Sequence, residues 1–589
     1  MGTVAAGDGA DAARRRPLWP ALMPTLPALL TLVITLWGIA SASFWRDEAA
    51  TLTATRRSLP GLIRMLAHVD AVHGAYYLLM WPLAHLFGTS EFVMRLPSAI
   101  AMAAAAFGTA VIGRRLGSSR TGLLAGLVLA VLPMTSRFAQ EARSYALVTA
   151  LAVLASYLLI RATDEPGRRW PMGYGLSLVA LGFMHMFGLL IVPAHALTLA
   201  AARRHGSDAD DGQPSGGQSS AEAGEAGEAG EAGEAGDQAT SGTAAGTGTG
   251  AGAAPVAAAA AARAGPARTQ RGWAAGTARG WVIAAAVAVV AILPLAALAW
   301  QERHQLAWLR KPTARDVVAL ITLLTGSGAS FVLITAIGVA GACYGGSRGK
   351  RGSVGQQRSA GKRLLWLSAP WLFTPPVLLI VGSEVKPVYV DRYVVFCLPA
   401  LALLVGAGLA VIGSHWQIAA LGMLVLLTLP LQEAIRQPAG HGDNIRAAAQ
   451  YLRAQAKPGD AVVWSRPGFR DLGAAYPCGF SRLRDIGLKE SAVSAGNLSG
   501  TNVALQVLKR RLRDVERVWL VGVDHEKPNP TVIGWPRFRL IQVWTIDSIS
   551  LRLYVRNAVH ARHSGVTQVH GARVVAMFHG GPAHPLKIG

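Results

Sequence analysis

The sequence predicts a polytopic α-helical membrane protein of about eleven spans, with a small soluble α/β domain near its C-terminal end. Three observations carry this. Hydrophobic residues make up 52% of the 589 and charged residues only 15%, against about 25% charged in an average soluble chain. Mean hydropathy is +0.34. The apolar residues gather into runs long enough to cross a bilayer, which takes about 20 residues, and these runs stop near Gln432.

Lys and Arg number 56 and Asp and Glu 33, a net charge of +23. In a soluble chain that surplus points to nucleic acid. Here the basic residues stand between apolar spans, as positive-inside loops do, so no nucleic-acid partner is expected. The three cysteines, Cys343, Cys397 and Cys478, make neither a disulfide framework nor a cysteine-type zinc site. The tail 1–18 is polar and carries Arg14-Arg15-Arg16. The apolar stretch after it is too long for a signal peptide and is expected to be a first span, about Pro20–Ala40, with a cytoplasmic N-terminus.

The next apolar stretch, Ala75–Phe87, has 13 residues, short for a span. Laid along the interface, it leaves the basic loops Arg114–Arg120, Arg161–Arg169 and Arg348–Arg363 on the cytoplasmic side, as the charge rule asks. The remaining spans are then about Phe92–Ile112, Thr121–Met134, Tyr145–Ile160, Pro171–His185, Phe187–Ala201, Trp281–Trp300, Val317–Ala342, Leu364–Gly382, Tyr393–Ile412 and Gln417–Leu431. Pro171–His185 and Phe187–Ala201 also read as one long tilted helix, which would invert everything downstream.

Residues 19–204 form an N-terminal membrane module with an outer loop at 41–91, and 280–432 a second module. Between them, 205–279 reads as a disordered linker, with a Glu-Ala-Gly triplet repeated from Glu222 to Gly236 and nothing to bury. In 433–556, Asp443–Ala456 reads as an amphipathic helix capped by Asp443 and Val503–Arg513 as another helix. Ala461–Trp464, Arg517–Val523, Phe538–Ile546 and Ser548–Val555 read as strands. The tail 557–589 shows no periodicity. The chain is placed in the plasma membrane, with its C-terminal domain outside the cytoplasm.

Charged clusters far apart in sequence fall on one membrane face by this topology. Arg46-Asp47-Glu48 follows the first span. A carboxylate fixed in so dry a place suits a general base that deprotonates a hydroxyl; Asp47 equally suits an N-cap of the helix after it. In Gln140-Glu141-Ala142-Arg143-Ser144-Tyr145, Glu141 suits orienting an acceptor or holding a cation, and Arg143 suits a phosphate. A Glu–Arg pair closing a loop explains the same residues. Lys386 and Arg392, with Asp391 and Tyr393, stand at the mouth of a span, where snorkelling is the alternative. Trp308 reads as a sugar-stacking platform or an interfacial anchor. His185, at the end of an apolar run, reads as a packed polar residue or a ligand. Carboxylates suit hydroxyl activation, and cations suit a phosphate leaving group whose growing charge needs stabilising. No P-loop is present, which argues against ATP-driven transport.

The order of these motifs resembles the GT-C superfamily of polytopic glycosyltransferases. They are Arg46-Asp47-Glu48, Tyr76-Tyr77, Leu86-Phe87-Gly88, Glu91, Arg95-Leu96-Pro97-Ser98, Gln140–Tyr145, His185 and Asp391-Arg392-Tyr393 with Pro399. The likeness is closest to bacterial glycosyltransferase family 39 and mannosyltransferase-like proteins, relatives of protein O-mannosyltransferases and lipid A aminoarabinose transferases. It covers about 18–432 without the linker and extends loosely to the outer C-terminal domain. The resemblance implies that a sugar, mannose by this likeness, passes from a polyprenyl-phosphate carrier to a glycan, lipid or protein acceptor on the extracytoplasmic face, with inversion. It implies Asp47 as general base or acceptor orienter, Glu48 as its companion, and Glu141 as a second acidic residue that leaves a divalent cation open. Arg143, Lys386 and Arg392 would face the lipid phosphate, and Arg46, Tyr145, His185, Trp308 and Tyr393 would line the substrate. A flippase, or a non-catalytic binding protein for lipid-linked sugars, would use the same charges without a base.

Overall fold

A computed structural model describes residues 22–208, 266–303, 309–345, 354–523 and 537–557. In the first half the helices are α1 (Thr25–Leu36), α2 (Arg46–Thr55), α3 (Leu59–Leu66), α4 (Gly74–Phe87), α5 (Glu91–Leu116), α6 (Ser119–Val131), α7 (Pro133–Ala139), α8 (Tyr145–Asp164), α9 (Arg169–Met184) and α10 (Ile191–Asp208). The second half adds α11 (Pro266–Gln301), α12 (Ala314–Thr325), α13 (Gly328–Gly345), α14 (Val354–Val385), α15 (Leu398–Val411) and α16 (Ser414–Ile435).

Among the described residues seven helices are long and apolar enough to cross a membrane, or nine if each of two bent pairs is one span. The bent pairs are α6 with α7 (64°) and α12 with α13 (72°). The other two expected spans are shorter helices, α1 with 12 residues and α9 with 16. At 1.5 Å per residue α1 rises about 18 Å, less than the roughly 30 Å hydrocarbon core.

The helix from Arg169 breaks at His185, whose φ is −164° and ψ 114°. Tyr174 and His195 lie about ten residues to either side of the break, yet the Tyr174 hydroxyl is 3.0 Å from His195 Nδ1. Only two helices folded back on each other bring those positions together, so this is a hairpin and not one tilted helix. Small residues set the closest helix contacts. A Cβ on Gly406 would stand 2.5 Å from the Ala125 backbone nitrogen, so α15 and α6 touch backbone to backbone.

Helix α4 matches the expected short helix. It leaves Leu78, Leu79, Leu86 and Phe87 exposed, while Tyr76, Tyr77 and Met80 pack inward on Leu52 of α2 and Met94 of α5. One face is thus free for an apolar surroundings and the other is core.

Two boundaries differ from expectation. Helix α10 runs to Asp208 and α11 starts at Pro266, so both membrane helices extend into the segment read as linker, since alanine-rich sequence such as Trp273-Ala-Ala favours helix. The rest of the linker, the tail 1–18, the tail from 558 and Trp308 lie outside the described residues.

The C-terminal domain carries α17 (Ile445–Gln455), α18 (Arg470–Ala475), α19 (Pro477–Phe480) and α20 (Leu505–Arg511), with strands β1 (Ala461–Trp464), β2 (Arg484–Asp485), β3 (Leu488–Glu490), β4 (Thr501–Asn502), β5 (Arg517–Val523), β6 (Phe538–Ile546) and β7 (Ile549–Arg556). The main sheet has the order β2-β1-β5-β7-β6. β1 pairs in parallel with β2 and β5, and β7 pairs antiparallel with β5 and β6. The cap of α17 is Asn444, whose side chain accepts from the Ala447 N–H at 3.1 Å, and not Asp443. That leaves the Asp443 carboxylate free to reach elsewhere.

Candidate active site

Helix α2 organises the site. Its first three residues are 100° apart around the axis, so they point in three directions. Arg46 turns to the C-terminal domain, where its Nε donates to Asp443 Oδ2 at 3.1 Å. Glu48 turns into the core. Asp47, between them, faces the membrane helices, and its Oδ2 is 3.3 Å from Nη2 of Arg392. The cap is Trp45, with the Glu48 side chain accepting from its backbone N–H. The N-cap reading of Asp47 is therefore replaced: Trp45 is the N-cap, Glu48 reaches back to its N–H, and the Asp47 carboxylate is left for the site.

Glu48 is wholly buried. Arg95 of α5, also wholly buried, grips it twice, from Nε to Oε1 at 2.8 Å and from Nη2 to Oε2 at 2.7 Å. The Ala142 N–H adds a third bond at 2.8 Å. Burial alone would raise this carboxyl, but Arg95 holds it well below the usual carboxylate range. Glu48 thus pins α2 to α5 and to the loop after α7, and it has no face left for a substrate.

The loop 140–144 crosses beneath. Gln140 donates to the carbonyls of Thr35 and Trp37 at 2.7 and 2.8 Å. Glu141 is buried, with Oε2 2.7 Å from Arg137 Nη1 and Oε1 without a partner. Burial raises its carboxyl above the usual range, against the pull of Arg137. Arg143 donates to the Tyr77 hydroxyl at 3.1 Å and contacts His73 Nε2 at 2.6 Å. Burial, then Arg143, holds His73 well below its ordinary range, so this nitrogen accepts. Tyr77 in turn bonds Asp70, which sits in the left-handed region at φ 60°. Arg143 also approaches the Asp47 carbonyl, at 3.5 Å.

Arg392 stands in a 3₁₀ turn, Asp391–Cys397, at the head of α15. Besides Asp47 it donates from Nε to the Tyr145 hydroxyl at 2.9 Å. Its guanidinium and that of Arg137 lie over the Trp45 ring, 5.7 and 5.3 Å from the centroid. Beside it the Tyr393 ring stacks on Phe187 at 5.2 Å and meets His185 at 4.6 Å, and Nδ1 of His185 has no partner.

The structure therefore brings Asp47, Arg392, Tyr145, Tyr393, His185, Glu141 and Arg143 to one end of the bundle. Arg46 and Glu48 serve as anchors on either side of Asp47. Lys386 is engaged elsewhere, its ammonium 4.3 Å from the Trp300 ring centroid. Sequence reasoning missed Arg137, Asp70 and His73, because each acquires meaning only through a partner distant in the chain or a helix turn away. At the opposite end of α5 and α8, Arg115 and Arg363 gather on Asp164. Among the described residues no three His, Cys, Asp or Glu side chains gather to hold a metal ion.

Residues 74–208 match the family described as dolichyl-phosphate-mannose-protein mannosyltransferase. No curated protein matches the chain. Among solved structures it is similar to ArnT from Cupriavidus metallidurans in the apo state, with a TM-score of 0.53 and 10% identity over 90% of this chain and 97% of that one. It is also similar to ArnT from the same organism bound to undecaprenyl phosphate, with a TM-score of 0.52 and 9% identity over 92% and 98%. The chain shares the fold of these ArnT structures.

Proposed function

We propose that this protein is a polyprenyl-phosphate-dependent glycosyltransferase that moves a sugar, mannose in the first instance, to a hydroxyl acceptor with inversion, using Asp47 as general base. The observation that carries the reading is the ion pair of Asp47 with Arg392, partly open to solvent, beside two carboxylates, Glu48 and Glu141, that are wholly buried and paired with Arg95 and Arg137. The family matched over 74–208 and the undecaprenyl phosphate bound by the ArnT neighbour support the donor class.

The acceptor oxygen attacks the anomeric carbon from the face opposite the phosphate. The bond between that carbon and the phosphate oxygen breaks, and polyprenyl phosphate leaves with the electron pair. The hydroxyl proton passes to Asp47 as the new bond forms. Arg392 stabilises the charge that grows on the leaving phosphate. In the resting pair each group neutralises the other. A phosphate that draws Arg392 away frees the Asp47 carboxylate at the moment a base is needed, so ion-pair exchange couples donor binding to base activation. Tyr393, Phe187 and His185 offer an aromatic wall for a sugar ring, with His185 Nδ1 for a hydroxyl. The basic cluster at the far end of the bundle supports a cytoplasmic N-terminus and an extracytoplasmic C-terminal domain.

The test is transfer in nanodiscs with polyprenyl-phosphate-mannose and a mixed cell-envelope acceptor fraction, followed by mass spectrometry. The reading expects carrier consumption and a glycosylated product. Tight carrier binding without consumption, across a panel of lipid-linked sugars, would favour a flippase instead.

A further inference from the structure

The C-terminal domain does more than follow the membrane helices. Between α1 and α2, residues 37–45 run without regular secondary structure, exposed at Trp37, Ala40 and Ser41 and buried at Ile39 and from Ala42 to Phe44, where unpaired carbonyls are costly. Arginines take them up. Arg436 donates to Trp37, and Arg95 to Ile39, Ala42 and Ser43. Arg446 of α17 donates to Ala40, Ser41 and Ala42. The Ser43 N–H donates to the Pro438 carbonyl at 2.9 Å, and the Arg446 N–H to the Ser43 hydroxyl at 3.0 Å.

Tyr476, between α18 and α19, completes the hold. Its hydroxyl accepts from the Phe44 N–H at 2.9 Å and donates to Glu91 Oε1 at 2.7 Å. Glu91 is also paired with Arg446 at 2.7 Å. The Tyr476 ring leans on Phe44, with centroids 5.9 Å apart. Three residues after Phe44 comes Asp47, and the next contact of the domain, Arg46 with Asp443, is immediately beside it.

We propose that the C-terminal domain sets the position of Asp47, with Tyr476 as the positioning residue that fixes the strap 37–45 leading into α2. This rests on the function proposed above. The physical reason is that a base must stand within hydrogen-bond reach of the proton it takes. The strap has no ladder hydrogen bonds of its own. Arg95 and Arg436 hold it from the membrane side, and the domain holds its outer side and its last residues before α2. The domain supplies that stiffness from outside the membrane helices.

Tyr476→Phe keeps the ring on Phe44 and removes only the hydroxyl. We expect kcat to fall about tenfold, the scale for a small misplacement of a reacting group, with KM for the donor within about twofold, since Arg392 is untouched. The Phe44 and Ser43 amides should exchange with solvent about tenfold faster. A control, Trp519→Phe, removes the bond from Trp519 Nε1 to Asp460 inside the domain. It should lower the melting temperature while leaving kcat in place. If Tyr476→Phe folds poorly, Arg446→Lys, which loses the fork over Ala40–Ala42, replaces it with the same expectation. Unchanged kcat and unchanged exchange would overturn the proposal, as would a Trp519→Phe enzyme slowed as much as Tyr476→Phe. If the wild type transfers no sugar, or Asp47→Asn still does, the functional reading fails separately. The amide exchange still decides whether the strap is held from the domain.

Discussion

Asp47 and Arg392 lie 345 residues apart in the chain and 3.3 Å apart in space, one on the helix after the first membrane helix and the other at the head of α15. Each has a second tether. The Asp47 backbone accepts from Arg143, and Arg392 holds the Tyr145 hydroxyl. The pair therefore joins the two membrane modules at the point where chemistry is proposed.

Arg392→Lys keeps the charge and loses the geometry, because an ammonium cannot span Asp47, Tyr145 and a phosphate as a guanidinium does. The expected result is a fall of about 10- to 100-fold in kcat/KM for the lipid-linked donor, measured by carrier consumption, with the melting temperature little changed. Tyr145→Phe should give a milder effect in the same direction, since it removes one neutral bond to Arg392.

Glu48→Gln separates anchoring from chemistry. It leaves Arg95 buried without its counter-charge, which costs about 3–5 kcal/mol where a buried pair is broken on one side only. Thermal unfolding should show a large loss of stability. Arg95→Gln in combination with Glu48→Gln removes the orphaned charge and keeps an N–H donor for the carbonyls that Arg95 serves, so it should recover part of the loss, which a catalytic role for Glu48 does not predict.

His441 follows α16 and is buried, with Nδ1 3.9 Å from Glu48 Oε2 and neither nitrogen hydrogen-bonded. Burial, then Arg137, lowers it from 6.5 to about 3. Its folded value is below its unfolded one, so the unfolded chain binds the proton first as pH falls. Stability is then lost from about pH 6.5 down to about pH 3, at no more than about 1.4 kcal/mol per pH unit. His441→Gln should flatten that acid limb in pH-dependent melting curves.

Much of the fold was legible because membrane spans announce themselves by length and apolar content, and the strands Ala461–Trp464, Arg517–Val523 and Phe538–Ile546 by their bounded β-branched and aromatic runs. The short pieces β2, β3 and β4, with two or three residues each, carry no such signal. Asp47 and Arg392 were visible as charges beside apolar runs. That Arg46 turns to Asp443, Glu48 to Arg95 and Asp47 to Arg392 could not be read, because three successive charges look alike until the helix phase and the partners are known. Asp443 and Asn444 are equally good capping residues in the sequence, and the structure divides them, with Asn444 on the Ala447 N–H and Asp443 on Arg46.

The most direct measurement is a comparison of wild type with Asp47→Asn, read in two ways on the same preparation: consumption of polyprenyl-phosphate-mannose with an acceptor fraction, and binding of undecaprenyl phosphate. The account predicts that Asp47→Asn loses transfer by at least about a thousandfold, on the scale of general base catalysis together with acceptor orientation, while it binds the lipid phosphate as tightly as wild type or more so, because Arg392 is released. Transfer that survives in Asp47→Asn would contradict the assignment of the base.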